Sequence, residues 1–398
     1  MSRDGASRHV VIASRIFAPE PAAASLRLRV LAEELAGAGY GVEVLTTTAP
    51  ASPPPQDSAG VHVVRWPALR NADGYIRGYL GYLSFDIPLL FRLLLRRRPD
   101  VVVCEPPPTS GVAVRIACAL RRVPYLYIAA DLWSEAVLEV GVPAVVERVL
   151  ARVERWATGG AAHVLTVNPV LVERLRGLGV RGPITMIGHG ADTEVFRPDG
   201  PAVEAGRPYL VYAGTASEVH GARIFTRALP RVLEEVPDAL VVVIGQGSER
   251  SAMEEDVRAM PDGVVQFHPR LAPAATAAWL RGARAALASV RPGPYGFAIA
   301  TKVYAAAACG TPILHVGPGP GRDLVRDNRL GWDVDYDVRH VAKAMIAALR
   351  AERNPGEVAR LAAWTAAHAS LRAAGRKAVE CVDDVVRGGD AGGETGDS

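Results

Sequence analysis

Short apolar runs alternate with stretches in which leucine and valine recur at helical spacing. Residues 9–14 and 42–47 read as strands, and between them Leu28, Leu31 and Leu35 mark a helix over 25–35 that Gly37 and Gly39 end. Strand, helix, strand is a βαβ unit, which favours a parallel sheet. The alternation continues through strands at 61–66, 100–105, 125–130 and 162–167, with helices over 109–121 and about 143–158 and another beginning at Asn168-Pro169. Residues 192–208 carry Pro, Gly and charge without periodicity and read as a linker. The pattern then begins afresh: strands at 209–214, 239–247, 264–268, 285–290 and 312–316, and helices near 274–281, from Thr301, over 339–350 and over 371–386. The expectation is an α/β protein of two doubly wound halves with a cleft between them.

Composition narrows the function classes. With 45 Lys and Arg against 42 Asp and Glu, the formal charge of +3 gives no reason to expect nucleic acid, and no basic stripe interleaved with aromatics is present. Cys104, Cys118, Cys309 and Cys381 are scattered without metal or redox spacing and read as buried thiols of a reducing cytoplasm. The N-terminus is polar, no signal peptide is expected, and no uninterrupted apolar run is long enough to suggest a membrane span. The location expected is cytoplasmic, with peripheral contact at the inner membrane face as the alternative.

Several stretches carry candidate chemistry. The loop over 15–25 is long for a βα connection and lacks GxGxxG, so a dehydrogenase fingerprint is missing from its required place. Asp131 closes an apolar strand, at the sheet edge where open α/β folds keep ligands; position alone lets it serve a site or cap the next helix. In 294–312 a Gly- and Pro-rich loop runs into a helix that Thr301 can cap, with Lys302 in its first turn. A cation is unfavourable there unless an anion is near, and a diphosphate would supply one. Residues 74–98 form one or two helices ending in Arg96-Arg97-Arg98; a core-packed helix is preferred over a face resting on an anionic membrane. Asp333-Val-Asp335 reads as a turn and strand edge, not a metal motif.

In order along the chain, these residues resemble the retaining glycosyltransferases of family 4, which have the GT-B fold of two Rossmann-like domains. The likeness rests on Phe17-Ala-Pro-Glu-Pro-Ala-Ala-Ala-Ser-Leu-Arg27, Asp131-Leu-Trp-Ser134, and the stretch from Ile187-Gly-His-Gly190 to Phe196-Arg-Pro198. In the second half it rests on Tyr212-Ala-Gly-Thr215, Gly245-Gln-Gly-Ser-Glu-Arg250, and Thr301-Lys-Val-Tyr304 with Ala308-Cys-Gly-Thr-Pro312. The subgroup it is most similar to contains bacterial polysaccharide and natural-product sugar transferases. The resemblance implies an acceptor domain over 1–195, a linker over 196–208 and a nucleotide-sugar domain over 209–370. A helix over 371–387 would return to the first domain, followed by a disordered tail over 388–398.

The activity implied is transfer of a sugar, with retained configuration and without a metal or other cofactor, from a nucleoside diphosphate sugar to an acceptor. A small natural-product acceptor, as in antibiotic biosynthesis, is preferred; a lipid-linked glycan with weak membrane contact through 74–98 is the alternative. The catalytic candidates are Lys302 and Asp131. Donor contacts are expected from Gly214, Thr215, His220, Gly247, Glu249, Arg250, Thr301, Lys302 and Ala305. Acceptor contacts are expected from Phe17, Glu20, Ala24, Arg27 and Glu105. Where the family commonly has two donor-binding glutamates, this chain has Phe297 and Ala305, and neither side chain can accept a hydrogen bond from a sugar. A non-catalytic sugar-nucleotide binder and an epimerase are the rival readings, distinguished by binding without turnover and by conversion without acceptor.

Overall fold

A computed structural model describes residues 8–20, 22–49, 58–71, 74, 76, 78–136, 144–293 and 299–393. Phe297 and much of the Pro-rich stretch at 49–59 lie outside the described residues. Two structural units divide the chain at Gly188: residues 1–188 with 374–398, and residues 189–373.

The first unit opens with β1 (His9–Ala13), α1 (Ala23–Gly37), β2 (Gly41–Thr47), β3 (Val61–Trp66), α2 (Gly78–Leu95) and β4 (Val101–Cys104). It continues through α3 (Pro108–Arg121), β5 (Tyr125–Ala129), α4 (Trp133–Ala136), α5 (Ala144–Gly159), β6 (His163–Thr166), α6 (Pro169–Gly177) and β7 (Ile184–Met186). The strands form one parallel sheet in the order β3-β2-β1-β4-β5-β6-β7. Buried residues of α2, α3 and α6 cover one sheet face, those of α1 the other. The order reverses between β1 and β4, so the loops leaving these two strands diverge and open a crevice at their carboxyl ends.

The second unit repeats the plan with β8 (Tyr209–Ala213), α7 (Arg223–Glu235), β9 (Leu240–Ile244), α8 (Arg250–Val257), β10 (Val265–His268), α9 (Pro273–Gly282) and β11 (Ala285–Ser289). Then come α10 (Lys302–Ala308), β12 (Ile313–Val316), α11 (Pro320–Asp327), β13 (Gly331–Val334), α12 (Val338–Arg350), α13 (Pro355–His368) and α14 (Leu371–Gly393). Its parallel sheet has the order β10-β9-β8-β11-β12-β13, with the reversal between β8 and β11. Buried residues of α7 and α12 pack on one face; those of α9 and α10 pack on the other.

Three helices, α4, α11 and α13, escape the sequence reading. Two of them begin at prolines inside Gly- or Asn-bearing segments that look like turns, yet proline suits the first helical position. From Ala374 onward α14 groups with the first unit, and its Ala378 and Val382 join the core beside α1. A tail disordered from 388 is corrected, because α14 runs on to Gly393. Extending an existing helix by a few residues is far easier than nucleating one.

Candidate active site

The second unit concentrates its candidate chemistry where β8 and β11 part. Lys302 begins α10, and its Nζ donates to the Tyr212 hydroxyl at 2.8 Å while lying 4.2 Å from that ring's centroid. The Tyr212 hydroxyl in turn donates to the Thr215 carbonyl at 2.7 Å, which ties lysine and ring to the loop after β8. Tyr212 is fully buried and Lys302 half-buried by surface area. The protein packed around the ammonium removes hydration from the charged form and lowers its pKa to about 7. Among the described residues no carboxylate pairs with it. Gly214, at φ 142°, makes room: a Cβ there would stand 2.9 Å from Lys302 Cε.

His220 closes the same loop, its Nδ1 hydrogen-bonded to Ser217 Oγ at 2.8 Å. Burial, followed by the nearby Lys302 charge, lowers its pKa to about 4, so it is neutral at physiological pH. Gly214, one of the expected donor contacts, has its N–H engaged by Ile244 O at 2.9 Å. Thr301 is a correction: it stands at the N-cap but is helical and makes no side-chain cap. With seven residues, α10 supplies little beyond its first amides, so Lys302 carries most of the positive charge there.

The loop after β9 braces the loop after β8. Glu249 N donates to Ala216 O at 3.0 Å and Ala216 N to Gln246 O at 2.9 Å. The Glu249 carboxylate accepts from Arg223 N at 3.2 Å. Arg250 donates to Gly245 O at 2.6 Å, His268 O at 2.7 Å and Glu254 at 2.9 Å, so its guanidinium holds this turn together. Gly247, at φ 148°, packs so closely that a Cβ would collide with the Ala216 carbonyl. We expect Gly247→Ala to cost about 1–3 kcal/mol in a urea melt, from backbone strain alone. Ala305 sits on α10, half-buried against the core. Asp333 and Asp335 both pair with Arg322, at 2.8 and 2.6 Å.

In the first unit, Arg27 Nη2 reaches Glu105 Oε2 at 3.0 Å; both side chains are buried, and Ser14 Oγ lies 3.1 Å from Glu105 Oε1. Glu105 therefore serves an internal ion pair rather than a free acceptor contact. Phe17 is a core residue and not a binding surface. Glu20 is held by Arg70 at 2.8 Å, which also bonds Thr47 and Thr48. Ala24 lies half-buried on α1.

Asp131 is resolved by a residue the sequence reading missed. Glu154 of α5, buried, accepts from Trp133 N at 2.9 Å, Ser134 N at 3.1 Å and Ser134 Oγ at 2.6 Å. It supplies the cap of α4, which leaves Asp131 exposed at the sheet edge. The surrounding protein still raises the Asp131 pKa, with Arg27 acting in the opposite sense. Glu154→Gln should keep the fold but loosen α4, lowering stability by about 1–2 kcal/mol in a thermal melt.

A further missed cluster joins residues that are far apart in sequence. Arg15 stands 4.5 Å from the Tyr82 ring centroid and 5.7 Å from that of Trp133. Asp86, buried with its pKa raised by desolvation, accepts from Ser110 Oγ at 2.5 Å. A recess of about 390 Å³, lined by Arg284, Trp332 and Arg353 among others, opens at the amino-terminal edge of the second sheet, away from the Lys302 site.

Residues 23–190 match the model of the glycosyl transferase 4-like domain, and residues 207–351 match that of the glycosyl transferases group 1. Sucrose-phosphate synthase from Thermosynechococcus elongatus is similar in structure, with a TM-score of 0.72 at 18% identity over 96% of this chain and 100% of its own. The α,α-trehalose 6-phosphate synthase from Burkholderia multivorans gives 0.71 at 14%, over 98% and 99%. HepE of Anabaena, in complex with UDP and glucose, gives 0.67 at 15%, over 94% and 99%. No curated protein matches by sequence. With glycosyltransferase domain models matched in both halves and the GT-B fold throughout, the chain belongs to the glycosyltransferases.

Proposed function

We propose that the protein transfers a sugar from a nucleoside diphosphate sugar to an acceptor nucleophile, with retained anomeric configuration and without a metal. The observation that carries this reading is Lys302, a half-buried cation at the parting of β8 and β11 with no carboxylate beside it among the described residues. Departure of the sugar leaves negative charge on the diphosphate, and a preorganised ammonium stabilises that charge more than it does the intact donor. His220, neutral, offers a hydrogen bond rather than a second charge. Similar folds in complex with UDP, UDP-glucose and ADP support a nucleotide donor. Asp131 is our candidate for orienting the acceptor.

The acceptor reading turns on α2. The sequence favours a small soluble scaffold, but α2 leaves a stripe of large apolar side chains in water, and this favours a lipid-linked glycan. Thermal shift with UDP-, GDP-, dTDP- and ADP-sugars tests the donor assignment. One nucleotide should raise the melting temperature of the native protein and lose that effect in Lys302→Ala. A panel that shifts nothing, or shifts both proteins equally, would remove the site.

A further inference from the structure

On α2 the residues Tyr79, Leu83, Ile87, Phe91 and Leu95 follow one another at intervals of four, and all are exposed, Tyr79 to 76%, Phe91 to 55% and Leu95 to 83%. At 1.5 Å per residue the stripe runs about 24 Å along one side of the helix. The opposite side is anchored: Phe85, Leu89 and Leu93 are in the core, and Asp86 is buried on Ser110. An 18-residue window of α2 has a mean hydropathy of 1.3, enough by length and composition to cross a bilayer. Its anchored side excludes that, since spanning would strip it from the sheet. The helix therefore lies in a layer and offers one face outward.

That layer is wider than α2. Contacts run from α2 to α3 and from α3 to α5. Next to the stripe, Leu120 of α3 is 70% exposed, and α5 exposes Val145, Val149 and Trp156. Segments 78–98, 108–122 and 144–159 hold ten arginines against three carboxylates, two of which, Asp86 and Glu154, are buried. Arg97, Arg98, Arg122, Arg148 and Arg152 are exposed among these apolar groups.

We propose that the outer face of α2, α3 and α5 docks on an anionic lipid surface, its apolar stripe entering the headgroup boundary and its arginines meeting lipid phosphates. Charge selects this occupant. A symmetric pairing of two copies through the same face would bring arginine against arginine. Anionic headgroups neutralise the arginines instead, and the exposed tyrosine, phenylalanine and tryptophan suit a membrane interface. This deepens the acceptor reading, since a lipid-linked acceptor would be met where the protein rests. It requires neither donor nor turnover.

Co-sedimentation of the full chain with vesicles tests it, using phosphatidylcholine alone or with roughly one-third phosphatidylglycerol. Partition onto the anionic vesicles should be at least about tenfold stronger and should weaken with salt. The Phe91→Ser, Leu95→Ser pair and the Arg148→Glu, Arg152→Glu pair should each lower it about tenfold, with unchanged melting and nucleotide binding. Equal partition on both vesicles, no partition at low salt, or variants that bind like the parent would overturn the proposal. So would a dimer, seen by sedimentation, that the Phe91→Ser, Leu95→Ser pair dissolves. Because no donor enters the assay, its failure leaves the transferase reading standing.

Discussion

Lys302→Ala is expected to lower kcat/KM by about 10² or more, the usual consequence of removing one preorganised charge contact from a developing anion. The loss should fall mainly on kcat if Lys302 meets charge that grows in the transition state, and on KM if it only holds the donor. The pH dependence gives a second, independent reading. In the free protein burial lowers the Lys302 pKa to about 7, so above that pH the neutral amine gains population. A bound diphosphate favours the ammonium and draws the pKa back up. Donor binding must then take up a proton, and affinity should fall as pH rises through about 7, by up to tenfold per pH unit until the pKa of the complex is reached. Lys302→Arg, charged throughout this range, should abolish that slope while recovering part of the affinity. A flat profile for the parent protein would exclude Lys302 as the diphosphate's partner.

Glu105→Ala is expected to produce the largest loss of stability among single substitutions, about 3–5 kcal/mol, because it strands the Arg27 guanidinium without its counter-charge in the core of the first unit. Arg27 already has its Nε without a hydrogen-bond partner, and Asp131, which feels its charge, makes no ion pair with it among the described residues. Removing both charges, as in Arg27→Met with Glu105→Leu, should recover much of the loss, since apolar residues of similar volume often substitute for a buried pair. Urea denaturation of the parent, both single variants and the double variant measures the coupling directly. A mild effect of Glu105→Ala would mean that the pair is solvated, and that Glu105 is free for an acceptor after all.

How much of the site could be read beforehand depended on whether its residues share a local pattern. Lys302 was legible because a lysine in the first turn of a helix, next to a glycine- and proline-rich loop, is locally unfavourable. Its partner Tyr212 lies 90 positions earlier and looks like one more apolar strand residue. Glu154 was hidden for the reverse reason. On a helix rich in Arg and Glu it resembles a solvated surface charge, yet folding buries it and sets it under the amides of Trp133 and Ser134. Arg250 and Glu20, which the resemblance offered as ligand contacts, are engaged by the protein's own groups, among them His268 and Arg70, which lie too far away in sequence to be read beforehand.

The sequence by itself determined the alternation of strand and helix and the two parallel sheets; the units divide at Gly188, ahead of the 196–208 segment read as a linker, whose Ala205 packs with Phe196 on the core of the second unit. Strand and helix periods and the run lengths of apolar residues are properties of neighbouring positions, and they survive any detail of packing. Tertiary structure alone decided which charges are free. Asp131 was released because a distant glutamate took its capping role, and a buried tyrosine receives Lys302, with no carboxylate beside it among the described residues. It also decided which side of α2 meets water. That helix is apolar nearly all round, so its period could not say which side the sheet would cover, and only the packing of Phe85, Leu89 and Leu93 leaves Leu83, Ile87 and Phe91 outside.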